Sequence, residues 1–275
     1  MNSLPSSPAP SRTGITGSPQ SAPRSALRFA SSADAPPVHS RPQKLLAELL
    51  GTFAVVLVAA GAVCADELLR SSQQVRLGPF GVAAAYGLIY GAAVSAVGHI
   101  SGGHFNPAVT IGYWVTRRLG TFDTLAYWGA QLAGAAGAAY LLRFFLPEAV
   151  WQAAILGTPS VAAGLTRGPA MLMEGSMTFF LMLALFATTV DRPGARYWLA
   201  GLAAGMVIAV AVLAGGPFTG GSMNPAQAFG PALASRHWTY QAIYWIGPLA
   251  GGVAAAFLYD LLFHRARPVP DETPS

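Results

Sequence analysis

Two short segments of this chain repeat one order of residue types. Each ends in the triplet Asn-Pro-Ala, which consists of Asn106, Pro107 and Ala108 in the first copy and Asn224, Pro225 and Ala226 in the second. Asn is a favoured N-cap, and Pro suits the first helical position because its missing N–H would have no partner there. Each Asn side chain can cap its own helix through its oxygen and keep its N–H donors free. The chemistry indicated is hydrogen bonding to passing molecules.

A glycine-rich turn precedes each triplet. Glycine allows the backbone itself to form the wall of a site, because it lacks a Cβ and readily adopts positive φ. The turns would present carbonyl oxygens as acceptors from Gly102, Gly103, His104 and Phe105, and from Gly220, Gly221, Ser222 and Met223. Acceptors along each turn and amide donors at its end suit a single file of hydrogen-bonding molecules.

The composition indicates that these turns belong to a membrane protein. Hydrophobic residues make up 53% of the 275 residues and charged residues only 10%, whereas soluble domains carry about 25% charged residues. The net charge of +5 does not indicate nucleic-acid binding, because the basic residues are scattered at the ends of apolar segments. The lone Cys64 excludes a disulfide within the chain and a Cys-based metal site.

Six apolar segments are long enough to cross a hydrocarbon core of about 30 Å as helices. They cover residues 44–64, 79–99, 123–145, 169–190, 196–214 and 239–263. Two further apolar pieces, 106–116 and 224–235, would reach only about half that thickness at about 1.5 Å per residue. Both begin at Asn-Pro-Ala, so we expect half-helices that enter the membrane and turn back. Irregular backbone at this depth is tolerated where it lines a polar cavity, which predicts a path through the protein.

The two halves of the chain repeat each other. Glu48 and Thr52 in the first span match Glu174 and Thr178 in the fourth. Spans two and five share a Gly-xxx-Gly spacing that favours close helix crossing, formed by Gly87, Gly91, Gly201 and Gly205. Three spans and one half-helix in each half place the second half upside down. The predicted fold is all-α, with six transmembrane helices and two re-entrant half-helices in an inverted 3+3 repeat.

The half-helices also predict an ion barrier. A helix N-terminus carries about half a positive charge, and the two N-termini would meet near the midplane. Cations, including hydronium, would be repelled there, while neutral hydrogen-bonding molecules would pass.

Together these features make the chain resemble the aquaporin, or major intrinsic protein, family. The resemblance rests on HFNPAVT at 104–110 and SMNPAQAFGPAL at 222–233, and it extends over about 43–264. One Asn-Pro-Ala would be weak support, but two copies in matching halves are specific. The resemblance implies a right-handed six-helix bundle in the lipid bilayer and a homotetramer with one pore per subunit. It also implies a passive channel for water and small neutral solutes, without a cofactor or enzymatic activity.

The family's outer constriction has four positions, which the resemblance places at Tyr86, Val212, Gly221 and Gln227. Most members carry Arg at the last position, where it narrows the pore and adds a positive barrier. Gln227 keeps hydrogen-bond donors but lacks the charge and some of the length. The next Arg along the chain, Arg236, lies towards the end of the half-helix. We therefore expect a wider and more apolar constriction than that of a strict water filter.

The solute is left open by the residues. Some vacuolar-type plant members also lack this Arg, and the segment GGPFTGGSMNPA resembles theirs. That resemblance implies ammonia, urea, hydrogen peroxide, glycerol or a neutral metalloid acid as solutes beside water. Glycerol facilitators carry Asp after the Arg, whereas Ala228 follows Gln227 here and the outer loops are short. A dedicated glycerol channel is therefore disfavoured.

Four polar residues inside or beside the spans have alternative interpretations. Glu48 and Glu174 suggest a proton relay, as ionisable groups within spans often do, but their repeat symmetry and the family resemblance favour support of the re-entrant turns. His99 and His104 suggest metal ligands. No Cys or carboxylate cluster accompanies them, so the turns are the expected partners of these histidines, with the His104 carbonyl in the pore wall.

The residues also bear on three other protein classes. No nucleophile, base and orienting group can be assembled into a catalytic set, which argues against an enzyme. Coupled transporters also use inverted repeats and broken helices, but no charged residue lies next to either Asn-Pro-Ala to bind a coupling ion. A structural membrane protein with a poorly conducting pore is a third possibility. Downhill solute flux without an ion gradient separates these three classes.

The remaining predictions concern domains and topology. Residues 1–42 are rich in Ser, Pro and Ala and are expected to be disordered. They lack the apolar region of a signal peptide, and an organellar transit peptide is the disfavoured alternative. The membrane domain covers 43–264, with repeats at about 43–145 and 169–264, and 265–275 form a C-terminal tail. With both termini cytoplasmic, most of the 16 Lys and Arg residues are also cytoplasmic, and we expect the plasma (inner) membrane.

Overall fold

The structure is a computed structural model, and it describes residues 39–190 and 197–263. Most of the predicted N-terminal tail and all of the predicted C-terminal tail lie outside these ranges. The helices of the described part are α1 Arg41–Gln73, α2 Gly78–Ser101, α3 Pro107–Val115, α4 Thr121–Phe145, α5 Glu148–Ala153, α6 Arg167–Thr189, α7 Tyr197–Thr219, α8 Pro225–Ser235 and α9 Gln241–Leu262. A single 3-10 turn, Ile155–Gly157, follows α5.

Six of these helices match the predicted spans. In the part of the chain described, α1, α2, α6, α7 and α9 are both long enough and apolar enough to cross a membrane. Helix α4 has 25 residues and is long enough. It contains many small residues together with Gln131 and Arg143, and no stretch of it is as apolar as those of the other five. It packs against α1 and the short helix α8, which gives these small residues close contacts with protein.

The two short helices are the predicted half-helices. Helix α3 has 9 residues and α8 has 11, so they reach only about 14 and 17 Å at about 1.5 Å per residue. Each begins with Pro directly after an Asn N-cap. The Asn106 side chain accepts a hydrogen bond from the backbone N–H of Ala108 at 2.8 Å, and Asn224 accepts one from Ala226 at 2.9 Å. These caps have the form that the sequence predicts.

The helix packing has the symmetry of the repeat. Helix α1 packs on α4 as α6 packs on α9, and α1 contacts α2 as α6 contacts α7. Each half-helix packs on the last span of the opposite half, α3 on α9 and α8 on α4. Helix α2 crosses its own counterpart α7. Exchanging the two halves reproduces every one of these contacts, which is the arrangement expected of an inverted repeat.

The crossing of α2 and α7 depends on the four predicted glycines. A Cβ on Gly87 would meet the carbonyl oxygen of Gly205, and a Cβ on Gly91 would lie 2.8 Å from that of Gly201. The reverse approaches, of Gly201 to Gly91 and Gly205 to Gly87, are equally close. Any side chain at these positions would push the two helices apart, as expected of small-xxx-small crossings.

Two helices run further than the sequence predicts. The apolar pattern of α1 ends near residue 64, but the helix continues to Gln73. Its last part contains the charged residues Asp66, Glu67 and Arg70. Helix α7 continues through Pro217 to Thr219, whereas the predicted apolar span ends at 214. The apolar pattern reports where the hydrocarbon ends, and a helix can extend past that point.

Candidate pore centre and outer vestibule

The two turns before the half-helices have the same strained backbone. Gly102 and Gly103 have φ of 100° and 66°, and Gly220 and Gly221 have φ of 84° and 63°. The residue before each Asn is not glycine but is also left-handed, with φ of 46° at Phe105 and 53° at Met223. At a residue other than glycine, a left-handed conformation costs of order 1 kcal/mol or more and persists where the surroundings hold it. The side chains of Phe105 and Met223 are both fully buried.

Glu48 of α1 holds the first turn. One carboxylate oxygen accepts from the Ser101 hydroxyl at 2.6 Å and the His104 backbone N–H at 3.0 Å. The other accepts from the Phe105 backbone N–H at 2.7 Å and the Gln131 side chain at 2.8 Å. Each oxygen therefore has two donors, and the carboxyl group is fully engaged in holding the turn.

Glu174 of α6 holds the second turn through three of the same four contacts, and no counterpart of the Gln131 contact is found there among the described residues. Its carboxylate accepts from the Thr219 hydroxyl at 2.7 Å, from the Ser222 N–H at 3.1 Å and from the Met223 N–H at 2.7 Å. Ser222 and Met223 occupy the places of His104 and Phe105 in the first half. This geometry favours the support role over a proton relay for both glutamates.

The two Asn side chains join the turns to each other. The Asn106 amide donates to the carbonyl oxygen of Met223 at 2.9 Å, and the Asn224 amide donates to that of Phe105 at 2.9 Å. The sequence predicts that both N–H donors of each amide are free. One donor is in fact used for this contact between halves, and one per amide is left. Each half-helix N-terminus therefore lies against the turn of the other half.

Two tyrosines on one face of α2 bind the turns from the side. The Tyr90 hydroxyl donates to the carbonyl oxygen of His104 at 2.7 Å, and the Tyr86 hydroxyl donates to that of Ser222 at 2.8 Å. They lie one helical turn apart, so a single helix contacts turns that belong to opposite halves. These carbonyls retain a second lone pair for another donor.

The His104 ring is held within a buried network. The Thr110 hydroxyl donates to the Asn106 carbonyl at 3.0 Å and accepts from Gln131 at 2.9 Å. His104 Nδ1 lies 3.2 Å from the same hydroxyl. Since that hydroxyl has only one proton, Nδ1 is assigned as the donor. The ring therefore contacts the half-helix that its own turn starts. His99, for which a turn was also the expected partner, lies next to the His39 ring with centroids 5.8 Å apart.

A cavity of about 300 Å³ lies beside the second turn, and we call it the outer vestibule. Tyr86, Val212 and Gln227, three of the four expected constriction residues, line it. The fourth, Gly221, is not among the lining residues, although its neighbour Gly220 is. Gly221 packs on the α7 backbone, where a Cβ would lie 3.2 Å from the Cα of Val212.

Gln227 is neutral, almost fully buried and close to the second turn. Its backbone N–H lies 3.4 Å from the Asn224 side-chain oxygen, and its own side-chain oxygen lies 3.4 Å from the Ser222 hydroxyl. That hydroxyl is closer to the Asn224 carbonyl, at 2.9 Å. The contact with Ser222 is therefore weak, and the Gln227 amide is only loosely held.

One part of the vestibule wall, the connection between α5 and α6, is not indicated by the sequence. Gly157, Thr158, Pro159 and Ser160 line the cavity. Pro159 packs on Gly220, and the backbone N–H of Ala162 donates to the carbonyl of Phe218 at 2.8 Å. Nothing in the local pattern of Pro, Ser and Gly distinguishes this folded segment from an ordinary surface loop.

Two charged residues of the vestibule were also missed. Asp66 near the end of α1 and Arg76 between α1 and α2 line the same cavity as Gln227. Hydrogen bonding to Asp66 and its negative charge raise the pKa of Arg76. Arg76 is far from Gln227 along the chain, and the fold brings it to this cavity from the opposite half.

A metal centre has no counterpart in the described ranges. No three His, Cys, Asp or Glu side chains lie together there in the way that a metal site needs. The polar groups of the pore centre are instead paired with each other across the two halves.

Comparison with known proteins identifies the family. The family profile described as "Major intrinsic protein" matches residues 38–259. Aquaporin TIP4-4 of Zea mays is 41% identical over 222 residues, which cover 80% of this chain and 86% of that protein. The probable aquaporin TIP3-2 of Arabidopsis thaliana is 40% identical, with 79% of this chain and 82% of that protein covered.

A solved structure supports the same fold. The X-ray structure of the aquaglyceroporin from Plasmodium falciparum matches with a TM-score of 0.70 and 21% identity, covering 81% of this chain and 97% of that one. At this identity the likeness concerns the fold alone. With the profile match and relatives at about 40% identity, the chain belongs to the major intrinsic protein family of membrane channels, the aquaporins.

Proposed function

We propose that this channel has a relaxed selectivity and passes small neutral solutes in addition to water. Passive transport of water and small solutes is the function of the family, and it is not an enzymatic one. The finer proposal rests on one observation. The neutral Gln227 lines the outer vestibule together with the apolar Val212, at the position where the family usually has a positive charge.

Exclusion of ions would be provided at the pore centre. The N-termini of α3 and α8 meet where Asn106 and Asn224 each contact the opposite turn. Two partial positive charges at the same place oppose cations. The remaining amide donor on each Asn and the second lone pairs of the turn carbonyls would serve a neutral molecule. Urea, ammonia, hydrogen peroxide, glycerol and neutral metalloid acids all have this hydrogen-bonding character.

The experiment is permeation in proteoliposomes, followed by light scattering. Vesicles that contain the protein should shrink faster than empty vesicles under an osmotic step, and should re-swell faster when urea or glycerol is the osmolyte. Both effects should occur without an ion gradient. Equal rates in protein-containing and empty vesicles for all solutes would contradict a channel function.

The variant Gln227→Arg tests the part of the proposal that concerns selectivity. It restores length and charge to the vestibule, so permeation of urea and glycerol should fall by about tenfold while that of water falls much less, as expected of differential contacts worth about 1.4 kcal/mol. Gln152→Arg is the matched control, because Gln152 lies exposed on α5. Equal loss for water and the larger solutes would mean that residue 227 does not form the constriction.

Assembly and location are further parts of the proposal. A homotetramer follows from the family resemblance, and the mass of the protein in detergent by light scattering tests it. Cytoplasmic termini follow from the distribution of Lys and Arg. The sequence predicts the plasma membrane, whereas the TIP-type relatives favour the tonoplast, an internal membrane. Cell fractionation decides between these two membranes.

A further inference from the structure

The outer vestibule contains an ion pair that the family comparison does not assign. Arg76 and Asp66 line the cavity that Tyr86, Val212 and Gln227 also line. Both charged residues come from the first half of the chain, at the end of α1 and in the connection to α2. They bring the only charges to the described part of the cavity wall.

The geometry of the pair gives it a direction. Arg76 Nε donates to Asp66 Oδ2 at 3.1 Å, and Nη2 donates to the same oxygen at 2.5 Å. Asp66 Oδ1 accepts from the backbone N–H of Gly78 at 2.9 Å. The Arg76 side chain is 59% exposed and that of Asp66 only 10%. The positive end of the pair therefore faces the open space, and the negative end lies beneath it.

The guanidinium also keeps hydrogen-bonding capacity. Among the described residues, Nη1 of Arg76 has no acceptor, so its two N–H groups are available to water. A neutral solute with an oxygen or nitrogen acceptor can exchange a hydrogen bond with water for one with such a group. A cation is repelled by it.

We propose that Arg76, oriented by Asp66, is a specificity-determining residue that repels cations at the outer mouth. It supplies from the α1–α2 connection a positive charge that Gln227 does not carry. The inference rests on the proposed channel function and deepens it. The cation for which it matters is ammonium, because a pore that admits ammonia is exposed to the conjugate acid at the same mouth.

A purely structural role for the pair is the competing explanation. Asp66 satisfies the N–H of Gly78 at the start of α2, so the pair could serve only to hold the α1–α2 connection. Arg76→Lys separates the two explanations, because Lys keeps the charge but loses the planar fork of the guanidinium. Arg76→Gln and Arg76→Glu remove or reverse the charge.

The experiment measures ammonium conductance across planar bilayers that contain the purified protein at low salt. Arg76→Gln should raise the conductance by about twofold to tenfold, the range expected for one charge acting through a medium between water and protein. Arg76→Glu should raise it further, and Arg76→Lys should match the parent. The increase should shrink at high salt, because exposed charges are screened.

Arg70→Gln is the matched control. Arg70 is similarly exposed, pairs with Glu67 on α1 and is not among the vestibule residues. It should leave the ammonium conductance unchanged. Equal conductance in the parent and Arg76→Glu, or equal effects of Arg70→Gln and Arg76→Gln, would overturn the inference. Water permeation of the same preparations is measured in parallel, since its absence in the parent would contradict the channel function instead.

Discussion

The side-chain amide of Asn106 donates to the carbonyl oxygen of Met223 at 2.9 Å, across the boundary between the two halves of the chain. Asn224 makes the same contact with Phe105 in the opposite direction. Each Asn also caps its own half-helix through its oxygen. One side chain therefore starts a helix and fixes the position of the turn that faces it.

Replacing either Asn by Asp tests this double role. Asn106→Asp and Asn224→Asp keep the oxygen that caps the helix but lose the donor, and they bring a carboxylate against a carbonyl. We expect each to cost about 1–3 kcal/mol of stability and to lower the barrier to cations. Thermal unfolding in detergent and cation conductance measure the two effects. If only one of the two variants were destabilised, the two Asn contacts would not contribute equally to stability despite their similar geometry.

Removing the charge of a turn-supporting glutamate should also destabilise the protein. In Glu174→Gln the new amide cannot accept from the backbone N–H groups of both Ser222 and Met223, so one buried donor is left unsatisfied. We expect a loss of about 3 kcal/mol and reduced water permeation per folded molecule. Glu148→Gln on the exposed surface of α5 is the control. Retained stability with lost permeation would favour a direct role of Glu174 in transport.

The crossing of α2 and α7 should tolerate no added methyl group. Gly91→Ala places a Cβ against the carbonyl of Gly201, and since the contact is backbone, relief requires the helices to separate. We expect a cost of about 1–3 kcal/mol. Gly129→Ala in α4 is the matched control, because a Cβ there meets nothing within 4 Å. It should be neutral or stabilising, because Ala favours a helix. Similar unfolding temperatures for both variants would contradict the close crossing.

The two tyrosines of α2 should differ in their effects. Tyr90 is fully buried and Tyr86 lines the vestibule. Tyr90→Phe leaves the His104 carbonyl without this donor, and we expect a stability loss of about 1–2 kcal/mol. After Tyr86→Phe a water in the vestibule can replace the lost hydroxyl, so the stability change should be smaller and the change in solute selectivity larger. Unfolding temperatures and urea permeation measure the two effects. A larger stability loss in Tyr86→Phe and a larger selectivity change in Tyr90→Phe would contradict this assignment of the two tyrosines.

Much of the architecture could be predicted because membrane burial leaves a simple pattern. Length and hydropathy gave the spans, and the Asn-Pro pairs gave the starts of α3 and α8 to the residue. The ends of α1 and α7 could not be found this way, because a helix can continue in water or through a proline near its last turn. Helix α5, with six residues, is too short for the pattern to detect.

The candidate site was predictable where a residue acts on its own neighbours and not where it acts across the fold. The caps by Asn106 and Asn224 involve residues two positions away, and the sequence predicts them. The use of their amide donors depends on the opposite half, so the sequence could not reveal it. Arg76 was missed for the same reason, since its place near Gln227 depends on how α1, α2 and α8 come together.

The reciprocal contact of the two Asn side chains has a consequence for biosynthesis. When α1 to α4 have entered the bilayer, the Asn106 amide and the Phe105 carbonyl have no partners yet, because Met223 and Asn224 are still to be synthesised. The first re-entrant turn therefore lacks these two hydrogen bonds until the inverted second half has been inserted. A polypeptide consisting of one half alone would complete it only by pairing with an upside-down copy of itself.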